Sequence, residues 1–111
     1  MVATAAELEN AISDFLQGLQ KGIRVEVIVL YGSYAHGEAR EWSDIDLAII
    51  SPDFEGVPMW KRQETIAQLT VHRYRGIAPI GYPSSEYHNP GRHSFLREII
   101  RTGKVAYQAR P

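Results

Sequence analysis

The chain has 111 residues, with 12 Lys and Arg against 13 Asp and Glu and a formal net charge of −1. That balance gives no broad field to draw nucleic acid or an anionic membrane, and the absence of cysteine excludes disulfides and thiolate metal sites. A hydrophobic content of 44% and a charged content of 23% are ordinary for a globular protein, and the length suits one domain, 1–111.

No apolar run approaches membrane-spanning length, and the start "MVATAAELEN" lacks the basic and apolar regions of a signal peptide. The expected location is therefore cytoplasmic. Along the chain, "TAAE" (Thr4 to Glu7) reads as a capping box. The helix it opens carries Leu8, Ile12, Phe15 and Leu19 at 3–4 spacing and is expected to stop near Gly22. "RVEVIVLY" follows, β-branched and almost unbroken in apolar character after Glu26, as in a strand covered on both faces. "SYAHGE" suits one short helical turn, "SDIDLAII" a second strand, and "SPDFEGVP" a turn-rich loop.

A helix is expected from Val57 to about Tyr74, with Pro58 in its first turn and Trp60, Ala67, Val71 and Tyr74 along one core-facing stripe. The charged stretch around Arg62, Glu64, Arg73 and Arg75 reads as a solvated face. "IAPIGYP" is a short third strand that Pro79 pushes to a sheet edge or a bulge. "NPGRHSFLREIIRTG" reads as a last helix with Phe95, Leu96, Ile99 and Ile100 as its apolar face and Gly103 as its C′ residue. Four large apolar residues exceed one stripe, so part of that surface is free to meet a partner chain. "KVAYQ" adds a terminal strand. The fold class is thus α/β or α+β, a small mixed β-sheet with helices packed on it.

Two short features carry chemistry. Asp44 and Asp46 are residues i and i+2 of a strand, so their carboxylates share a face within roughly 7 Å. Like charges so close raise each other's pKa unless a cation lies between them, and Mg²⁺ is the hard cation that binds through one or two carboxylates and substrate phosphates. Gly32-Ser33 ends the preceding strand; the glycine permits a tight turn, and amides freed at a turn or helix start, with the Ser33 hydroxyl, suit an anion. Gly37 permits a second bend. Taken singly, each is far more often a plain turn or loop cap than a site. Together, Gly-Ser, ten residues and Asp-x-Asp arise by chance on the order of once per thousand chains of this length.

The stretch "GSYAHGEAREWSDIDLAI" resembles the signature of the DNA polymerase beta-like nucleotidyltransferase superfamily, through Gly32, Ser33, Gly37, Ser43, Asp44, Asp46 and Leu47. The small size, "PIGYPSSEY" and "SFLREIIRTGKVAY" resemble the minimal nucleotidyltransferases, many of which are antitoxins paired with helical HEPN toxins and transfer AMP from ATP to a tyrosine of the toxin. The resemblance implies a nucleotidyltransferase fold and ATP or another NTP as substrate. It implies that Gly32, Ser33, Gly37 and Ser43 bind nucleotide, and that Asp44 and Asp46 hold Mg²⁺ and serve catalysis. It also implies a protein partner of HEPN type, with direct nucleic-acid binding not expected and a homo-oligomer left open. Arg40 lies within reach of a phosphate or is solvated.

The family's third carboxylate is expected on the next strand, and Ala78 stands there, with Glu86 as the nearest substitute or, alternatively, a first-turn residue of a short helix after Ser84. A degenerate module that neutralises its partner by occlusion is the alternative function. Transfer to a small molecule is weaker, because such chains need a second domain for the acceptor. Among the four histidines, His88 and His93 lack a third ligand at metal-binding spacing.

Overall fold

The computed structural model describes residues 2–73 and 76–110. A helix α1 (Ala5–Leu19) is followed by β1 (Val27–Tyr31), β2 (Ile45–Ser51), a 3₁₀ turn (Pro52–Phe54), α2 (Met59–Leu69), β3 (Ile77–Pro83), α3 (Ser84–His88), α4 (Phe95–Thr102) and β4 (Lys104–Gln108). The four strands form one sheet in the order β3-β2-β1-β4. β1 runs antiparallel to both neighbours and β2 runs parallel to β3, so the sheet is mixed, as the sequence predicts.

Both central strands are buried on both sides, which is why their sequences show no polar alternation. Ile28, Leu30, Ile45, Leu47 and Ile49 point to one face, where Ala11, Ile12, Phe15 and Leu19 of α1 and Ile66 of α2 cover them. Val27, Val29, Ala48 and Ile50 point to the other, under Leu96 and Ile99 of α4. The capping box of α1 is present: the Glu7 amide donates to Thr4 Oγ1 at 3.1 Å and the Thr4 amide to Glu7 Oε1 at 2.9 Å. β3 lies at a sheet edge, where the prolines cost no ladder bond.

Several expectations need correction. α2 ends at Leu69, and its stripe of Trp60, Ala67 and Val71 faces solvent; Trp60 and Val71 are each 68% exposed. Tyr74 and Arg75 lie outside the described residues. The side turned to the sheet carries Ile66 with Arg62 and Gln63, because the edge strand below offers open backbone groups rather than apolar surface. Gln63 donates to Pro79 O at 2.7 Å and accepts from the Gly81 amide at 2.9 Å, and Arg62 donates to Gly81 O at 3.0 Å. This polar face closes the edge of β3, and the charged stretch is only partly a solvated one. Arg73 also turns inward, to Asp14 at 2.9 Å.

The last helix begins later than predicted. Ser94 caps it, its Oγ accepting from the Arg97 amide at 3.1 Å. Gly103 is extended (φ −84°, ψ −177°) rather than a left-handed C′ residue. A Cβ there would lie 2.6 Å from Ile99 O and 2.7 Å from Leu30 O, so the glycine lets the chain pass from α4 into β4 directly against β1.

Gln63→Ala is expected to lower stability by about 1–3 kcal/mol by opening two backbone groups of β3, read as a lower urea midpoint at unchanged m-value. A change below about 0.3 kcal/mol would contradict an edge-closing role.

Candidate active site

Of the six predicted site residues, Gly32, Ser33, Asp44 and Asp46 meet at one end of the sheet. β1 runs out at Tyr31, and the chain turns at Gly32 with φ +74°. Successive turns follow instead of the expected helical turn. The Ala35 amide donates to Gly32 O at 3.1 Å, and the His36 and Glu38 amides donate to Ser33 O at 3.2 and 2.9 Å. Ala35 is buried in the α1-side core and plugs the loop in place, while Tyr34 Oη accepts from the Ala3 amide at 3.1 Å. The Ser33 and Tyr34 amides have no backbone acceptor among the described residues. Gly37 has φ +70°, and a Cβ there would meet open space, so it serves the turn rather than a close approach.

The chain returns through a second turn. The Ser43 amide donates to Arg40 O at 3.0 Å, and Ser43 Oγ accepts from the Arg40 amide at 2.8 Å. Ser43 thus shapes the entry to β2, and Arg40 is exposed beside it. The Ile45 amide then donates to Gly76 O at 2.7 Å, just ahead of the β2–β3 ladder. With Ile45 buried towards α1, strand alternation sets Asp44 and Asp46 on the α4 side. Asp44 is exposed and Asp46 is half-buried.

The acids and the glycine bend lie against each other. Tyr31 and Asp46 are strand partners, and a Cβ on Gly32 would lie only 2.2 Å from Asp46 Oδ2. The carboxylate occupies the space a side chain would fill. Burial, and secondly the charge of Asp44, push the Asp46 carboxyl above its ordinary value. Burial and the Asp46 charge also push the Tyr31 phenol up to about 12. This pair therefore favours a cation, and two carboxylates at an open rim fit Mg²⁺, which takes its other ligands from water and phosphate.

Ala78 is the β3 partner of Asp46, so the expected third acid position holds a methyl group on the acids' face. Glu86 does not replace it. α3 leaves the far end of β3, where Ser85 donates to Glu55 and His88 meets Glu26, a strand length away from Asp46. His88 and His93 join no cluster of three or more metal-ligating His, Cys, Asp or Glu among the described residues. A groove of about 480 Å³ between α1 and β4, lined by Leu8, Ile12, Leu16 and Tyr107, lies on the other face of the sheet.

Sequence reasoning missed Tyr31 as the strand partner of Asp46, and Phe95 as the neighbour of Tyr31. Phe95 stands edge-on to Tyr31, with ring centroids 5.7 Å apart. The return of α4 over β1 carries no local signal, so only the topology brings the two together.

The sequence profile of the nucleotidyltransferase domain family matches residues 10–98, and the chain belongs to that family. It is a nucleotidyltransferase of the minimal type. A Methanocaldococcus jannaschii protein with the provisional name protein adenylyltransferase is 31% identical over 103 residues, covering 89% of this chain and 97% of the relative. The protein adenylyltransferase MntA of Thermococcus cleftensis is 36% identical over 55 residues, covering 50% of this chain and 52% of that protein. Two crystal structures share the fold. A Sulfolobus solfataricus protein with the provisional name nucleotidyltransferase has a TM-score of 0.70 at 12% identity, covering 93% of this chain and 82% of that one. A toxin–antitoxin structure with AMP-PNP has a TM-score of 0.56 at 20% identity, covering 91% and 73%. No helix among the described residues is long and apolar enough to cross a membrane.

Gly32→Ala is expected to cost about 1–3 kcal/mol from the left-handed backbone alone and to displace the Asp46 carboxylate. Chemical denaturation checks the first effect, and a lowered affinity for MgATP checks the second. Asp46→Asn has the opposite sign for stability. A carboxyl with a raised folded-state pKa binds its proton more readily folded than unfolded, so its ionised form costs stability at neutral pH. The variant is expected to melt roughly 2–4 °C higher at pH 7, the half-exposed site being screened. That gap is expected to close as pH falls through the carboxylate range.

Proposed function

We propose that the protein is a Mg²⁺-dependent nucleotidyltransferase that moves AMP from ATP to a hydroxyl of a partner protein. It would act in the cytoplasm as the antitoxin of a pair whose toxin is a helical HEPN protein. The observation that carries this reading is the contact between the Asp46 carboxylate and the Gly32 bend, with Asp44 on the same face. The names of the relatives support protein adenylylation, and the toxin–antitoxin neighbour supports a protein partner.

The chain's own residues have separable tasks. The open amides of Ser33 and Tyr34 and the Ser33 hydroxyl hold the β- and γ-phosphates at the bend. Gly37, and Ser43 through its turn with Arg40, fix the loops that bear these groups. Asp44 and Asp46 would hold the metal, which when bound neutralises charge on the triphosphate and the departing pyrophosphate. The acceptor oxygen forms its bond to the α-phosphorus in line as the bond to the pyrophosphate oxygen breaks. With a methyl group at Ala78, the acceptor's proton passes to water or to an acid of the acceptor. A missing general base typically costs 10²–10⁴-fold, so turnover is expected to be slow.

Ala78 also favours a second reading, in which the fold neutralises its partner by occlusion alone. One experiment separates the two. Purified protein, MgATP labelled at the α-phosphate and a HEPN partner are incubated together, with the Asp44→Asn, Asp46→Asn double variant in parallel. Transfer predicts labelled partner and at least a hundredfold loss in the variant. No label with wild type, together with full neutralisation by the double variant, would establish occlusion instead.

A further inference from the structure

The start of α4 carries an arrangement that the transfer chemistry leaves unused. Phe95 is 57% exposed although it is the first residue of the helix that covers the acids' face. Its ring meets Tyr31, and Tyr31 is the strand partner of Asp46, so an open apolar ring lies one strand away from the acid pair. Leu96 and Ile99 are buried, which locks the helix and fixes where Phe95 stands.

Around the ring lies a shallow groove of about 440 Å³ lined by Arg92, His93, Ser94, Phe95, Arg97 and Glu98. Its charge is unbalanced. Glu98, its one acid, is held by Arg101, and among the described residues Arg92, His93 and Arg97 form no ion pair. A chain with a net charge of −1 thus concentrates free positive charge beside an exposed aromatic ring. Ser94 already takes one helix amide, that of Arg97, and the charge of the groove is carried by its side chains.

Two occupants of such a surface are conceivable. A purine would stack on the ring but brings no anionic group of its own to pair with Arg92 and Arg97. An acidic protein segment uses both, because carboxylates pair with Arg92 and Arg97 while an apolar side chain covers Phe95.

We propose that the start of α4 is the docking shelf for the acceptor, an acidic protein segment that lays an apolar or aromatic side chain on Phe95, sets carboxylates on Arg92 and Arg97, and so brings its hydroxyl to Asp44 and Asp46. This rests on the transferase reading, and it names the chemistry of the partner that reading requires.

The test reads binding rather than turnover. Isotope-labelled protein is titrated with a glutamate–tyrosine copolymer and, separately, with a lysine–tyrosine copolymer, following backbone amides by NMR. The acidic copolymer is expected to move residues 91–98, and the basic one to leave them unmoved. Arg92→Ser with Arg97→Ser is expected to weaken the acidic copolymer at least about tenfold, and Phe95→Ser about fivefold, while MgATP affinity stays within about twofold. All three positions are exposed, so the variants keep their fold. Absence of binding, shifts confined to another surface, or equal binding of both copolymers would overturn the shelf. So would loss of MgATP affinity in Phe95→Ser, which would give the ring to the nucleobase. A wild type that binds the acidic copolymer at 91–98 but no MgATP would support the shelf and sink the transferase reading.

Discussion

The site depends on one steric exclusion: no side chain fits at position 32, because the Asp46 carboxylate is already there. β1 and β2 are antiparallel, so the end of one strand meets the start of the other, with Tyr31 beside Asp46. The bend that reverses the chain must then pass beneath a carboxylate. Only a residue without a Cβ, and tolerant of positive φ, does both. One glycine therefore brings a loop with open amides against a pair of carboxylates.

The rest of the molecule keeps that contact in place. Ile45, Leu47 and Ile49 anchor β2 under α1, which leaves Asp44 and Asp46 turned to the opposite face. Ala35 plugs the turn after Gly32 into the same core. The site is electrostatically unfavourable when empty, since burial and Asp44 both oppose ionisation of Asp46. That cost is the expected mark of a site whose stability has been traded for ligand binding. Ala78 leaves the site with two acids, so under the proposed transfer the acceptor's proton would leave by way of water or the acceptor.

Much of this was legible in the sequence, for local reasons. Unbroken apolar runs mark Val27–Leu30 and Leu47–Ile50 as strands covered twice, Pro79 marks an edge, and Thr4 with Glu7 marks a helix start. The i, i+2 spacing of Asp44 and Asp46 gave a shared face without any coordinates. What failed was non-local. The stripe of Trp60 and Val71 has helical spacing but faces solvent, because α2 meets a strand edge that requires hydrogen bonds rather than apolar cover. Gly103 does end α4, but in an extended rather than a left-handed conformation, because it also lets α4 and β4 approach Leu30. The neighbourhood of Phe95, Tyr31 and Asp46 depends on α4 returning over β1, which spacing does not encode.

The central claim is that the acid pair and the glycine bend form one binding site for a metal–triphosphate. Paramagnetic broadening tests it most directly: Mn²⁺ in trace amounts, with AMP-PNP, is added to isotope-labelled protein. The account predicts that the amides of Ser33, Tyr34, Asp44, Asp46 and Ala78 broaden first, and that Asp44→Asn with Asp46→Asn removes the effect. Broadening centred elsewhere, or unchanged in that double variant, would contradict it.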